Sequence, residues 1–328
     1  MRLLVTGAAG FIGANFIRYW LQEHPADHVV ALDALTYAGV RTNVPSNVAF
    51  AHLDIADWTN MEDLLRVHRV DVVVNFAAES HNSLAVLDPA RFFLTNVLGT
   101  QRLLEACRRV GVARFHHVST CEVYGDLALD DPSAFTEDSP YRPRTPYNAS
   151  KAGSDHAVRA YHETFGLPVT ITNCANNYGP YQFPEKVIPL FITRALTGRP
   201  LPVYRSSANR REWLHVNDHC RAIDLVLHSG QVGRTYNVGS GVEVSVAELA
   251  ARILDHVGLP SSLITVVPDR PGHDRRYLLD SSRLRSELGW GPLVDFDLGL
   301  AETITWYAEH PDWWRPLLER TLVTEGTH

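Results

Sequence analysis

What this chain has little of narrows its chemistry first. It has no excess of positive charge: 30 Lys and Arg against 37 Asp and Glu leave a formal net charge of −7, with a pI near 6.1. That balance argues against a nucleic-acid partner, which needs a clustered basic face. A small anionic substrate stays open, because a local Arg/Lys pocket does not show in a total. Only four cysteines are present, Cys107, Cys121, Cys174 and Cys220, and none form a CxxC pair. They read as reduced thiols of a cytoplasmic protein, not as a disulfide frame or a zinc site. No apolar run approaches the roughly 18 residues of a membrane helix, and Arg2-Leu3-Leu4-Val5-Thr6-Gly7 opens as a strand, not a signal peptide. No membrane partner is expected. Repeats and low-complexity tracts are also missing.

What is present is an ordinary globular balance, 45% hydrophobic and 20% charged over 328 residues, enough for a large core. Short apolar runs alternate with helical patterns. Strands are expected at Leu3–Val5, Val29–Leu32, Val48–Leu53, Val70–Val74 and Arg114–Val118. Helices are expected at about Phe11–Gln22, Met61–His68, Phe92–Val110 and Tyr147–Phe165. The Val70–Val74 run is nearly all apolar, as a strand covered on both faces should be. This alternation predicts an α/β, Rossmann-type doubly wound parallel sheet. Beyond Pro180 the prolines cluster (Pro184, Pro189, Pro200, Pro202) and the alternation turns irregular. A smaller C-terminal substrate-binding lobe is therefore expected, with the site in the cleft between lobes.

Gly7-Ala8-Ala9-Gly10-Phe11-Ile12-Gly13 follows the first strand and opens the first helix. Glycines there permit a tight turn and close approach of backbone to a pyrophosphate, which the free N–H groups and dipole of the helix N-terminus favour. Asp33 ends the second strand about 20 residues on, where a carboxylate suits free ribose hydroxyls. It would repel the extra phosphate of NADP, and Ala34-Leu35-Thr36 brings no arginine, so NAD is the expected cofactor.

Tyr147-Asn148-Ala149-Ser150-Lys151 puts a phenol and an amine at i and i+4, on one helix face. A free tyrosine titrates near pH 10. A lysine ammonium and a positive nicotinamide ring are expected to bring that value down, making Tyr147 a base. Val118-Ser119-Thr120-Cys121-Glu122-Val123-Tyr124-Gly125 ends a strand, where side chains enter the cleft. Thr120 is placed to hydrogen-bond the substrate or Tyr147, and Cys121 and Glu122 are adjacent candidates for an acid and a base.

Taken with Asp54-Ile55, Ala77-Ala78-Glu79-Ser80-His81, Asn176-Asn177-Tyr178-Gly179-Pro180, Phe183-Pro184-Glu185-Lys186, Arg211-Glu212-Trp213, Asp269 to Tyr277 and Glu287-Leu288-Gly289-Trp290, these motifs run in one order along nearly the whole chain. In this the chain resembles the dTDP-glucose 4,6-dehydratases, of the extended short-chain dehydrogenase/reductase superfamily. The resemblance implies an NAD-binding domain over 1–180, rejoined by about 213–240, and a nucleotide-sugar lobe over 181–328. It implies dinucleotide contacts from Gly7, Gly10, Phe11, Ile12, Gly13, Asp33, Ala34, Leu35, Thr36, Asp54, Ile55, Ala77, Ala78, Glu79, Thr95, Tyr147, Lys151 and Asn177. Substrate contacts would come from His81, Thr120, Asn176, Lys186, Val187, Pro202, Val203, Tyr204, Arg211, Asp269, His273 and Arg276, of which Lys186, Arg211 and Arg276 are the candidates for the diphosphate. Pro202-Val203-Tyr204 matches the family's thymidine side.

The implied reaction has three steps. Tyr147 takes the 4-hydroxyl proton as hydride passes from C4 to NAD. Glu122 then removes the C5 proton while an acid protonates the departing 6-hydroxyl. Hydride finally returns to C6, leaving a 4-keto-6-deoxy sugar. A sister reaction returns hydride to C4 and leaves a 5,6-unsaturated sugar; a UDP-sugar substrate, a 4-epimerase and a non-catalytic binding protein are the other readings.

The chain departs from the family pattern in places. Cys121 stands where the family has Asp, and a thiol titrating near 8.5 in water is mostly protonated at neutral pH. Cys121 is thus either the general acid or a space-filler with slowed elimination. Asn82-Ser83-Leu84-Ala85 replaces the usual Val-Asp-Arg-Ser beside the sugar. Arg205 to Asn209 lacks the usual glycine-rich turn, and an expected Asn near 246 is replaced by Val246 or displaced to Ser245. His215 and His219 share helical spacing with Asp218 beside them, but with no third ligand pattern they read as core or hydrogen-bonding histidines, and no metal is expected. His116-His117 reads as strand packing. A homodimer through the helices near 92–110 and 147–165 is expected from the resemblance.

Overall fold

The computed structural model describes residues 1–269, 272 and 274–325, so His273 lies outside the described residues. The chain runs β1 (Arg2–Thr6), α1 (Phe11–Glu23), β2 (His28–Asp33), β3 (Ala49–His52), α2 (Trp58–Val67), β4 (Val72–Asn75), α3 (Asn82–Leu87), α4 (Pro89–Phe92), a π-helical stretch (Phe93–Gly99), α5 (Thr100–Val110), β5 (Arg114–Thr120) and α6 (Pro146–Phe165). It continues through β6 (Val169–Cys174), β7 (Asn176–Tyr178), α7 (Val187–Leu196), β8 (Leu201–Tyr204), β9 (Arg210–His215), α8 (Val216–Ser229) and β10 (Thr235–Val238). It ends with β11 (Glu243–Ser245), α9 (Val246–Val257), β12 (Ile264–Val267), α10 (Ser282–Leu288), α11 (Phe296–Glu309) and α12 (Pro311–Glu325).

Seven strands form one parallel sheet in the order β10-β6-β5-β4-β1-β2-β3. Their alternating side chains feed two layers of helices. Leu3 and Val5 of β1 pack with Phe16, Ile17 and Trp20 of α1 and Ile223 of α8. Leu4, on the opposite face, packs with Met61 and Leu65 of α2 and Leu103 and Leu104 of α5. Each such burial stabilises the fold by about 1.5–3 kcal/mol relative to an exposed side chain. The strand order reverses between β1 and β4, which opens a crevice beyond their C-terminal ends, the place where such sheets bind ligands.

A second core lies beside this one. Three strands (β11-β9-β7) and two (β12-β8) join α7, α9 and α11 around Phe191, Trp213, Ile253, Leu300 and Tyr307. The chain enters this part at β7, goes back to the large sheet through α8 and β10, and leaves it again at β11.

The helix expected over Phe92–Val110 is interrupted. Phe93–Gly99 is π-helical, and the extra residue per turn carries Asn96 inward. Its Nδ2 donates to the Glu79 carbonyl (3.0 Å) and the Ser150 hydroxyl (2.8 Å), while its Oδ1 accepts from the Glu79 N–H (2.8 Å). The segment thus ties the Glu79 loop to α6.

Candidate active site

The dinucleotide cradle is built from backbone. Gly7 has φ +64, and a Cβ on it would lie 2.7 Å from the Ala77 nitrogen; one on Gly13 would lie 2.4 Å from the Gly7 oxygen. Only glycine permits β1, the start of α1 and the Ala77 segment to approach so closely. Gly10 caps α1 with no side-chain hydrogen bond, leaving first-turn N–H groups for an anion. Asp33 is buried and holds its position by accepting from the Ala9 N–H (2.9 Å) and the Leu35 N–H (2.8 Å). Burial pushes its carboxyl above the usual range, opposed by those N–H bonds. These residues fit a dinucleotide's pyrophosphate and ribose. Ile55 is buried against Gly99, Asp54 and Thr36 are exposed, and Ala34, Ala78 and Thr95 are half-buried. Glu79 is buried beside Arg91 (2.7 Å), and its Oε2 has no partner among the described residues.

Thr145 caps α6 by accepting from the Asn148 N–H, which places Tyr147 in the first turn beside the end of β5. Tyr147 is buried, edge-on to Phe92, and hydrogen-bonded to the Thr120 hydroxyl. The structure therefore brings Thr120, Cys121, Glu122 and Tyr147 together. Burial and then the Glu122 charge hold the Tyr147 phenol well above its ordinary value. Burial also lowers the Lys151 amine, opposed by the Asp155 charge. The protein's own groups keep the phenol protonated, and a further positive charge is needed beside it. Cys121 is also fully buried, and burial followed by the Glu122 charge pushes its thiol well up. It is therefore a neutral S–H at any ordinary pH. Asn82, one of the departures in the sugar loop, reaches the same carboxylate: its Nδ2 donates to Glu122 Oε2 (3.4 Å).

Behind Lys151 lies a network that sequence reading missed. The amine donates to the Val118 carbonyl (2.9 Å) and lies 3.4 Å from His117 Nε2. His117 Nε2 faces Asp155 Oδ1 (3.4 Å) and the Ser154 hydroxyl (3.2 Å). Asn75 Oδ1 accepts from Thr6 (2.6 Å), which turns its Nδ2 toward His117 Nδ1 (3.2 Å). The proton of neutral His117 is thereby assigned to Nε2. Burial and the Lys151 charge lower His117 to about 4, so it stays neutral between two charges. Burial pushes Asp155 up, but hydrogen bonds and charge from His117, Lys151 and Ser119 win, and its carboxyl ends below the usual range. Tyr141 also donates to it (2.8 Å). His116 is different, a core residue held by Thr170 and Thr172.

The expected substrate residues divide into three groups. Lys186 donates to the Ser80 carbonyl (2.8 Å) beside buried Glu185, which His81 (3.4 Å) and Tyr37 (2.9 Å) also face. Val187 opens α7 next to it, and the Asn176 Oδ1 is buried with no partner among the described residues. Arg211 is buried over the Tyr277 ring (4.8 Å), with its guanidinium on the Asp274 carbonyl (2.7 Å). Its charge and that of Glu212 bear on Cys121, so this arm reaches the catalytic end. Farther out, Arg276 pairs with Glu243 (2.6 Å), Asp269 accepts from Ser206, and Val203 of β8 packs into the second core between Pro202 and half-buried Tyr204. Asn177 is buried and accepts from His219 (2.9 Å), so His219 is a hydrogen-bonded core residue; His215 caps α8.

Comparison with known proteins agrees with this geometry. Residues 4–303 match the GDP-mannose 4,6 dehydratase family. The dTDP-glucose 4,6-dehydratase of Streptomyces antibioticus is 47% identical over 98% of this chain and 96% of its own length. That of Mycobacterium tuberculosis is 49% identical over 98% of this chain and 97% of its own. The chain belongs to the dTDP-glucose 4,6-dehydratase family. Among solved structures, the dTDP-glucose 4,6-dehydratase DesIV of Streptomyces venezuelae, with NAD and dTDP bound, is 50% identical. It superposes with a TM-score of 0.93 over 97% of this chain and 100% of that one. A Thermus thermophilus UDP-glucose 4-epimerase, solved with NAD, reaches 0.89 at 33% identity, over 94% of this chain and 100% of that one. The fold is thus shared with epimerases, and the dehydratases are the more similar in sequence.

A compositional signal to that site lies unused in the sequence. Of the 30 Lys and Arg residues, only Lys151 and Lys186 are lysines. Arginine serves elsewhere, while a compact ammonium is kept at two half- or fully buried positions of the cleft. Its donors reach the Val118 carbonyl from Lys151 and the Ser80 carbonyl from Lys186.

Proposed function

We propose that the protein is an NAD-dependent dTDP-glucose 4,6-dehydratase, forming dTDP-4-keto-6-deoxyglucose, with Cys121 as the general acid. The observation that carries it is a buried thiol and a carboxylate on consecutive residues, beside a buried Tyr147–Thr120 pair near the glycine cradle. NAD held by the Gly7–Gly13 cradle and Asp33 would supply a hydride acceptor and donor, and its positive ring would favour the Tyr147 phenolate.

The side chains do the rest. Tyr147 takes the 4-hydroxyl proton, with Thr120 fixing the phenol oxygen. The resulting 4-ketone acidifies C5, and Glu122, steadied by Asn82, removes that proton. Cys121 gives its proton to the departing 6-hydroxyl, so water leaves rather than hydroxide, a far stronger base than a thiolate. Glu122 returns its proton to C5. The proton gained by Tyr147 passes by way of solvent to the Cys121 thiolate, which closes the cycle. A neutral acid next to Glu122 also avoids a pair of like charges.

Residues 1–180, with part of 213–240, serve as the NAD domain and 181–328 mainly as the sugar-nucleotide lobe, supported by the glycine cradle in one and Lys186, Arg211 and Arg276 in the other. A homodimer is supported by an exposed apolar strip, Leu87, Phe93, Leu94 and Leu98, on the helical surface before α5. No described helix is long and apolar enough to cross a membrane, and four buried free thiols suit the reducing cytoplasm.

Incubation with dTDP-glucose, with UDP-glucose in parallel, tests the reading. A product lighter by one water, with a base-induced keto-sugar absorbance, is expected from dTDP-glucose. No turnover would overturn it.

A further inference from the structure

Away from the cleft, the C-terminal ends of α1 and α8 bring three metal-ligating side chains together. His24 is the C-cap of α1, and Asp224 and His228 lie one turn apart on α8. His24 Nε2 is 3.0 Å from Asp224 Oδ2, and His228 Nδ1 is 2.8 Å from Asp224 Oδ1. One ligand atom from each residue lies within 4.8 Å of the other two. In a tetrahedral site with bonds of about 2.0–2.2 Å, neighbouring ligand atoms stand about 3.4 Å apart. Small side-chain adjustments reach that arrangement.

The ligands are also held in place by their neighbours. The Tyr19 hydroxyl donates to Asp224 Oδ2 (2.8 Å), the kind of outer contact that orients a ligating carboxylate. The indole of fully buried Trp20 lies 4.2 Å from the His24 ring and 5.6 Å, nearly parallel, from the His228 ring. Both imidazole planes are thereby fixed toward the carboxylate. His24 and Asp224 are partly buried and His228 is more open, so a fourth position faces solvent.

We propose that His24, Asp224 and His228 form a binding site for a transition-metal dication, Zn²⁺ foremost, with water as the fourth ligand. Two imidazole nitrogens and one carboxylate are the donor set of zinc and its neighbours, not the all-oxygen set of calcium or magnesium. Bound metal clamps the ends of two helices that pack against each other, α1 being the helix whose other end forms the dinucleotide cradle. The site was invisible in the sequence because His24 and Asp224 are 200 positions apart. It is independent of the reaction, which uses none of the three residues.

Zinc titration of the NAD-loaded protein at neutral pH, after chelator treatment, tests the proposal, with Co²⁺ absorbance reporting coordination. One Zn²⁺ per chain is expected, with a zinc-dependent rise in Tm. His24→Ala and His228→Ala should each weaken uptake at least about tenfold and abolish the Tm rise, with dehydration of dTDP-glucose unchanged as evidence of folding. Asp224→Asn should do the same. Failure to take up stoichiometric zinc, or uptake of equal affinity in wild type and both histidine variants, would overturn the site.

Discussion

Around Tyr147 the protein supplies a hydrogen bond from Thr120 but no net positive charge strong enough to free the phenol, so the state of Lys151 matters. Its amine is lowered by burial and raised by Asp155, across a neutral His117. Removing that carboxylate as Asp155→Asn lowers the amine further, weakens the positive charge near the phenol and raises the phenol's own value. The acid limb of the kcat/KM profile should then move to higher pH. His117, Ser119, Tyr141 and Arg159 also bear on Asp155 or its partners, and they remain in the variant. An unshifted limb with only lower stability would reduce Asp155 to a structural role. Cys121 gives a second prediction: Cys121→Ala should slow water elimination about 10²–10⁴-fold while C4 oxidation persists, and Cys121→Asp should recover it. Equal turnover in Cys121→Ala would make the thiol a space-filler. Tyr147, Lys151 and Glu122 were legible because their chemistry is written in local spacing. His117 and Asp155 were not, since His117 looks like strand packing until a helix 34 positions away supplies Lys151.

The elements nearest the cofactor are positioned by close backbone contacts. Gly13 has no room for a methyl group, with the Gly7 oxygen 2.4 Å from where it would sit. Gly13→Ala should therefore push α1 off β1 and cost at least about tenfold in NAD affinity, read by equilibrium titration of tryptophan fluorescence quenching. Undiminished binding would mean that the turn shifts without consequence. The alternation of β1 to β5 with α1, α2, α5 and α6 was readable from apolar runs and helical spacing. The π-helical stretch was not, because its cause is tertiary: Asn96 turns inward to meet Glu79 and Ser150. Short α3 was also missed, its cap being a histidine, His81, whose Nδ1 accepts from the Leu84 N–H.

Across the whole molecule, the cleft joins a cofactor sheet fixed by regular patterning to a substrate lobe of short, irregular strands. The lobe is harder to read, since β7, β9 and β11 come from three separate stretches of chain. The exposed strip at Phe93, Leu94 and Leu98 predicts that the wild-type chain is a dimer by light scattering and that Leu94→Glu shifts it to monomer. A monomeric wild type would leave that strip for another partner. The central claim is that one hydrogen leaves C4 and comes back at C6 while water departs between, and dTDP-glucose carrying deuterium at C4 tests it most directly. The account predicts a 4-keto-6-deoxy product with the deuterium at C6. Deuterium retained at C4 of an unsaturated sugar, or its loss to solvent, would contradict it.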